Sequence, residues 1–245
     1  MIFFIILTDS KTDAHRKMTK NCIDSICASS RPPPGTGLSE FRITTVESCP
    51  GVKYPQAEAL EYTNPPGMTG FNYNHALNIG VQRYMHIFDA PPDDGDSWFC
   101  FMNNDVICGK DWLVELDKAV REHPEMDSMC PNIRERGEGV RFGYATWVHL
   151  DGCCIFCRSR ALKKIWPFDE RFRFFFQDDD YCEQLALHKI VHGKAMSSTI
   201  RHLGAQTMPE DESARPLLFQ CRDEFIGKYG MDVYIRRERE KRGVV

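Results

Sequence analysis

Asn103, Asn104 and Asp105 stand immediately after the apolar run Trp98 to Met102. That run reads as a buried strand, and the three short side chains make a turn rich in oxygen acceptors at its end. In open α/β sheets ligands bind at the carboxyl ends of strands, so one carboxylate and two amides there are placed to meet a substrate or hold a hard cation. Asn and Asp also populate turns for backbone reasons, and a plain turn is the competing account. A second acidic group, Gln177-Asp178-Asp179-Asp180, stands at the start of a helix read from about Tyr181 to His188. The helix dipole and its free amides reward one capping Asp, which leaves the others unexplained. The aromatic stretch Trp166 to Phe176 beside them would desolvate a carboxylate and raise its pKa, one route to a general base. His202, followed by Leu-Gly-Ala-Gln-Thr207, is a histidine on a loop rather than in an apolar stripe.

The elements that must position these groups follow from periodicity. Ile2 to Leu7 is a continuous apolar run of the kind found in a strand covered on both faces, and Thr8, Asp9 and Ser10 end it. A helix over about 13 to 28 leads to strand two, Phe41 to Glu47; Glu47 either meets a ribose or base or is an exposed turn acid. This strand, helix, strand order predicts a parallel sheet of nucleotide-binding type. A short strand follows near Ala59 to Tyr62, then a helical pattern after Gly70 in which Asn74 and Asn78 face either a cavity or solvent. Trp112 to Val120 reads as an amphipathic helix with Asp111 as its candidate N-cap. Met126 to Pro131 and Cys153 to Cys157 read as strands, with Asp151-Gly152 before the latter, and a basic helix spans Arg158 to Ile165. Ile190 to Met196 and Ser198 to His202 read as a pair of strands, and Leu217 to Tyr229 as a helix.

Three stretches carry a choice of meanings. The polar segment 132 to 150 lacks a period and is long enough to be a substrate cover. Cys153, Cys154 and Cys157 have zinc-ligand chemistry but sit on alternating faces of a strand with no second ligand pair, which favours core packing. Ile235 to Arg242 holds five basic residues against two acidic ones, either a solvated helix face or a phosphate contact.

The chain of 245 residues is long enough for one large α/β domain and carries a net charge of -4, against a globally basic nucleic-acid binder. Eleven cysteines, odd in number and set in apolar runs, fit reduced thiols in a cytoplasmic protein better than a disulfide framework. The opening apolar run has no basic flank and is far short of the roughly 20 residues that span a bilayer.

Taken together, the motifs resemble nucleotide-sugar glycosyltransferases of the GT-A fold, in particular the family 2-like group that includes rhamnosyltransferase-like enzymes. The matching pieces are the first strand with Thr8-Asp9, Ala76-Leu-Asn-Ile-Gly80, Asn103-Asn-Asp105 with Trp112-Leu113, and Asp151-Gly-Cys-Cys-Ile-Phe. Pro167-Phe-Asp-Glu-Arg-Phe, Gln177-Asp-Asp-Asp180 and His202 complete the set, in family order over about residues 1 to 207. The resemblance implies an α/β fold with a Rossmann-like, mostly parallel sheet flanked by helices. It divides the chain into a donor half (1–105), an acceptor half (106–207) and a short helical extension (208–245).

The resemblance also implies roles. Asn103-Asn-Asp105 falls on the Asp-x-Asp motif, so Asp105 with His202 would hold Mn²⁺ or Mg²⁺ against the donor diphosphate. Thr8, Asp9, Glu47, Asn78, Asn103 and Asn104 would meet the donor; Asp151, Gly152 and Asp180 would line the sugar and acceptor pocket. Asp178 falls on the position of the base that deprotonates the acceptor in inverting members. Asn103 and Gln177 stand where the family has carboxylates. The implied partners are a nucleotide-diphosphate sugar and a hydroxyl acceptor, a glycan or a hydroxylated base in DNA. The competing readings are a non-catalytic nucleotide-sugar-binding or assembly protein and, behind it, a nucleotidyltransferase, which would want a glycine-rich loop after strand one.

Overall fold

The computed structural model describes residues 1–36, 38–89, 97–134, 144–146, 148–204 and 214–241. Among these, nine strands join one sheet, in the order β3-β2-β1-β4-β8-β6-β9-β5, with β7 paired to β9. Strands β1 (Ile2–Thr8), β2 (Phe41–Glu47), β3 (Glu58–Glu61) and β4 (Trp98–Asn103) are mutually parallel, the expected nucleotide-binding arrangement. Antiparallel pairing enters where β4 meets β8 (Cys154–Arg158) and continues from β8 to β6 (Ser128–Ile133).

The central strands are apolar because helices cover both faces. Ile2, Phe4 and Ile6 of β1 face one core with Trp98, Cys100 and Met102 of β4, under α1 (Asp13–Cys27) and α3 (Trp112–Glu122). Phe3, Ile5 and Leu7 face the other with Phe99 and Phe101, under α2 (Tyr73–Gln82), α4 (Ser159–Ile165) and α5 (Gln177–Leu187). Gly80 permits α2 to lie this close: a Cβ there would come 2.4 Å from Ile5 Cγ2. Cys153 and Cys154 belong to the first core and Cys157 to the second, so no zinc site forms from them. All eleven cysteines are free thiols.

Several local expectations change. The stretch read as two final strands is one, β9 (His192–His202), which pairs β6, β7 (Tyr144–Thr146) and β5 (Val106–Cys108) along its length. Asp111 stands at the N-cap of α3 as expected, but its side chain does not bond the helix amides; it accepts a hydrogen bond from Ser30 Oγ at 2.6 Å. Much of the polar segment proposed as a cover, 135–143 and 147, lies outside the described residues.

The terminal basic run is solvated only in part: Arg236, Arg239 and Lys241 are exposed, whereas Arg237 is buried. Helices α6 (Ala214–Tyr229) and α7 (Met231–Lys241) pack on Phe172 and Phe176, and their cations meet the acids of α5. Lys228 Nζ reaches Asp180 Oδ1 at 2.7 Å, Arg236 and Arg237 hold Glu183, and Lys241 Nζ reaches Asp179 Oδ2 at 2.6 Å. No helix among the described residues is long and apolar enough to cross a membrane.

Candidate active site

The carboxyl ends of β1 and β4 open on a cavity of about 300 Å³. Strand β1 supplies Leu7 and Thr8, the residue after it is Asp9, and β4 with its turn supplies Asn103, Asn104 and Asp105. His202 comes from the end of β9, whose register pairs it with Val106 and so sets it beside Asp105. Phe71, Tyr73, Phe174 and Gln177 form the opposite wall, with the Phe71 and Phe174 rings 6.1 Å apart. A second, small recess adjoins this wall through Tyr73 and Gln177, and there Asp178 meets Gly152. A Cβ at residue 152 would come 3.1 Å from Asp178 Cβ, so glycine gives the carboxylate its room.

Hydrogen bonds fix the frame. The Tyr73 hydroxyl lies 3.1 Å from Asn103 Oδ1 and 3.0 Å from the Gly152 carbonyl, tying the β4 end to the Asp178 recess. Asn104 Nδ2 donates to Thr19 Oγ1 at 2.9 Å. Asp9 lies between Lys11 Nζ, at 2.7 Å, and the Ser48 hydroxyl. Asp105 Oδ1 and His202 Nε2 stand 3.1 Å apart, and both atoms are buried without an aligned hydrogen-bond partner. A carboxylate oxygen and an imidazole nitrogen left unsatisfied side by side fit a divalent ion that accepts O and N donors, Mn²⁺ among them.

The other expected site residues are placed elsewhere. Glu47 is buried and accepts from Thr8 Oγ1 at 2.7 Å and from the Ser10 and Cys49 amides at 3.0 and 2.9 Å, so it locks β1 to β2 and borders a separate recess with Lys53. Asn78 is outside the cavity; its Nδ2 donates to the Phe168 carbonyl and its Oδ1 accepts from the Phe168 amide, at 3.0 and 2.8 Å. Asn74 does the same work on Asp169, at 2.8 Å. Both amides pin the loop that leads into α5. Asp151 pairs with Lys194 at 2.7 Å. Asp180 turns away from Asp178 to Lys228 and Tyr229 and borders a different hollow with Asp169 and Gln184.

At the start of α5 no side chain caps the helix; Phe176 precedes it at φ 63°. A bulky residue in the left-handed region is strained, and the strain sits directly before Gln177 and Asp178. The expected rise of the Asp178 pKa does not occur. Partial burial acts in that direction, but the hydrogen bond and charge of His149, with Lys241 behind, outweigh it and hold the carboxyl below its ordinary value. His149 Nε2 lies 3.4 Å from Asp178 Oδ2. Sequence reasoning missed His149, whose one signal was its place just before Asp151-Gly152.

The overall fold has counterparts among solved structures. The fold is that of the GT-A glycosyltransferases. A crystal structure of S. aureus TarS covering residues 1–349 superposes with TM-score 0.57 at 13% identity, over 94% of this chain and 73% of that one. A longer TarS structure gives 0.55 at 13% identity, over 98% of this chain and 43% of that one. TarS is a GT-A-like glycosyltransferase. The sequence matches no protein-family model and no curated protein.

Proposed function

We propose that this chain transfers a sugar from a nucleotide-diphosphate donor to an acceptor hydroxyl with inversion. The observation that carries the reading is the junction of two sites across Tyr73. A cavity in which Asp105 and His202 lack an aligned hydrogen-bond partner adjoins a recess holding a carboxylate, Asp178, whose pKa is held below its ordinary value. Thr8, Asp9, Asn103 and Asn104 would orient the nucleotide half of the donor. Asp105 and His202 would hold Mn²⁺ or Mg²⁺, which when bound supplies positive charge to the diphosphate leaving group. Asp178 takes the proton of the acceptor hydroxyl as its oxygen bonds to the anomeric carbon. The bond from that carbon to the diphosphate oxygen breaks, and the nucleoside diphosphate departs with the electron pair.

A glycan is the acceptor we favour. Phe71 and Phe174 offer aromatic faces at the cavity wall. The polyanion alternative leaned on the polar segment 132–150, much of it outside the described residues, together with the terminal cations, of which Arg236, Arg237 and Lys241 are already engaged by Glu183 and Asp179.

The test is nucleotide release from a panel of nucleotide-sugars, with and without Mn²⁺ and with glycan acceptors, for the wild type, Asp105→Ala and Asp178→Ala. Metal-dependent release lost in both variants is the expected result. No release, together with no metal-dependent donor binding by calorimetry, would overturn it in favour of a binding or assembly role.

A further inference from the structure

His149 lies between two carboxylates of α5. Its Nε2 is 3.4 Å from Asp178 Oδ2, and its Nδ1 is 3.8 Å from Asp179 Oδ1. Asp179 is wholly buried, and neither its Oδ1 nor His149 Nδ1 has another hydrogen-bond partner. The far oxygen of Asp179 is taken by Lys241 Nζ at 2.6 Å. A neutral imidazole would offer a lone pair to one of these two carboxylates; an imidazolium offers N–H to both.

We infer that His149 is a positioning residue whose imidazolium, wedged between Asp178 and Asp179 and backed through Asp179 by Lys241, keeps Asp178 ionised and fixed in orientation as the base. The assignment rests on the transferase reading above. The remaining groups around the pair are the Tyr73 hydroxyl from α2, the Cys182 thiol one turn along α5 and the backbone of Gly152 before β8. Burial raises the Tyr73 pKa well above its ordinary value, so the phenol is neutral, and the charged side chains that face one another are Asp178, Asp179, His149 and Lys241. Burial lowers the His149 pKa, but the hydrogen bonds and charges of Asp178 and Cys182 prevail and carry it up to about 10. Asp179 moves the other way from Asp178, pushed up by burial and by Asp178 itself, with Lys241 opposing.

The three side chains also have metal-ligand chemistry, their donor atoms all within 4.8 Å of one another. The ammonium of Lys241 on Asp179 already supplies a positive charge there, which disfavours a second cation and leaves a proton on His149 as the simpler partner.

Two readouts test the inference. The first, side-chain ¹H–¹⁵N NMR of ¹⁵N-histidine protein, needs no activity: the chain has eight histidines, and the His149 signals are those lost in His149→Gln. Both ring nitrogens are expected to be protonated at pH 7.5, and in Asp179→Asn the His149 midpoint is expected to fall by about one pH unit or more. A neutral ring at pH 7.5, or signals displaced by Mn²⁺ at stoichiometric concentration in the Asp105→Ala protein, would overturn the inference.

The second readout is the pH profile of donor turnover. In His149→Gln the acid limb is expected to move up by about one to three pH units, because burial of Asp178 is then unopposed, while the alkaline plateau changes far less. A lowered plateau with an unmoved limb would mark His149 as merely structural. Should His149→Gln fail to fold, Asp179→Asn carries both measurements. Silence of the wild type toward every donor would overturn the transferase reading and leave the NMR result standing on the ion pair alone.

Discussion

Glu183 of α5 and Arg237 of α7 are both buried and in direct contact. Arg236 adds hydrogen bonds to the two Glu183 oxygens at 2.8 and 2.9 Å. Removing one member of a buried pair strands the other charge, so Glu183→Gln is expected to lower stability by about 3 kcal/mol in urea denaturation. The double variant Glu183→Leu with Arg237→Met should recover much of that loss; equal losses in single and double variants would contradict the account.

Gly80 sets two opposing effects against each other. Alanine is the better helix former by about 1 kcal/mol. Its Cβ, however, would come 2.4 Å from Ile5 Cγ2 and 3.3 Å from Val46 Cγ2, in a core that cannot yield freely. Overpacking of this kind costs about 1–3 kcal/mol, so Gly80→Ala is expected to be destabilising in thermal unfolding despite its helix propensity. A gain in midpoint temperature would mean α2 can shift off β1.

Asp169 links the loop before α5 to α6. Burial disfavours its charged form, but hydrogen bonds from Arg171 and Lys228 outweigh this and hold the carboxyl well below the usual carboxylate range. Its folded pKa is thus below its unfolded one of about 3.9. The contribution is present above about pH 4 and lost as pH falls below it toward the folded value. The loss of stability between about pH 4 and pH 2 should therefore be shallower in Asp169→Asn than in the wild type.

The unsatisfied pair Asp105 and His202 predicts a divalent-ion affinity that each residue supports. Asp105→Ala is expected to abolish Mn²⁺ binding by calorimetry, and His202→Ala to weaken it by at least about 10-fold. Unchanged affinity in both would remove the metal from the proposed reaction.

Much of the framework was legible in the residues. The apolar runs of β1, β2 and β4 and their polar ends are local signals, and Phe41–Glu47 was read to the residue. Asp105 and His202, far apart in sequence, were expected at one site, and the register of β5 on β9 brings them together. What was lost depended on partners that no periodicity encodes. Asn78 was expected to meet the donor, because an amide on a helix gives no sign of the carbonyl it will meet; Asn74, left open between cavity and solvent, lines the Asp178 recess. The terminal arginines read as a solvated or phosphate-binding run because their counter-charges lie on α5. The Asp178 pKa was expected to rise because the aromatic stretch was visible and His149, in an aperiodic polar segment, was not.

The ion pairs between α7 and α5 also order events in time. As the chain leaves the ribosome, α5 is complete while Arg236, Arg237 and Lys241 are still to be made, so Asp179 and Glu183 must stay in contact with water until those cations arrive. The helix that carries the proposed base therefore reaches its final form only after α7 docks. A nascent chain stalled before Arg236 would hold the cavity's strands without a settled Asp178, so the proposed base is fixed only once α7 is in place.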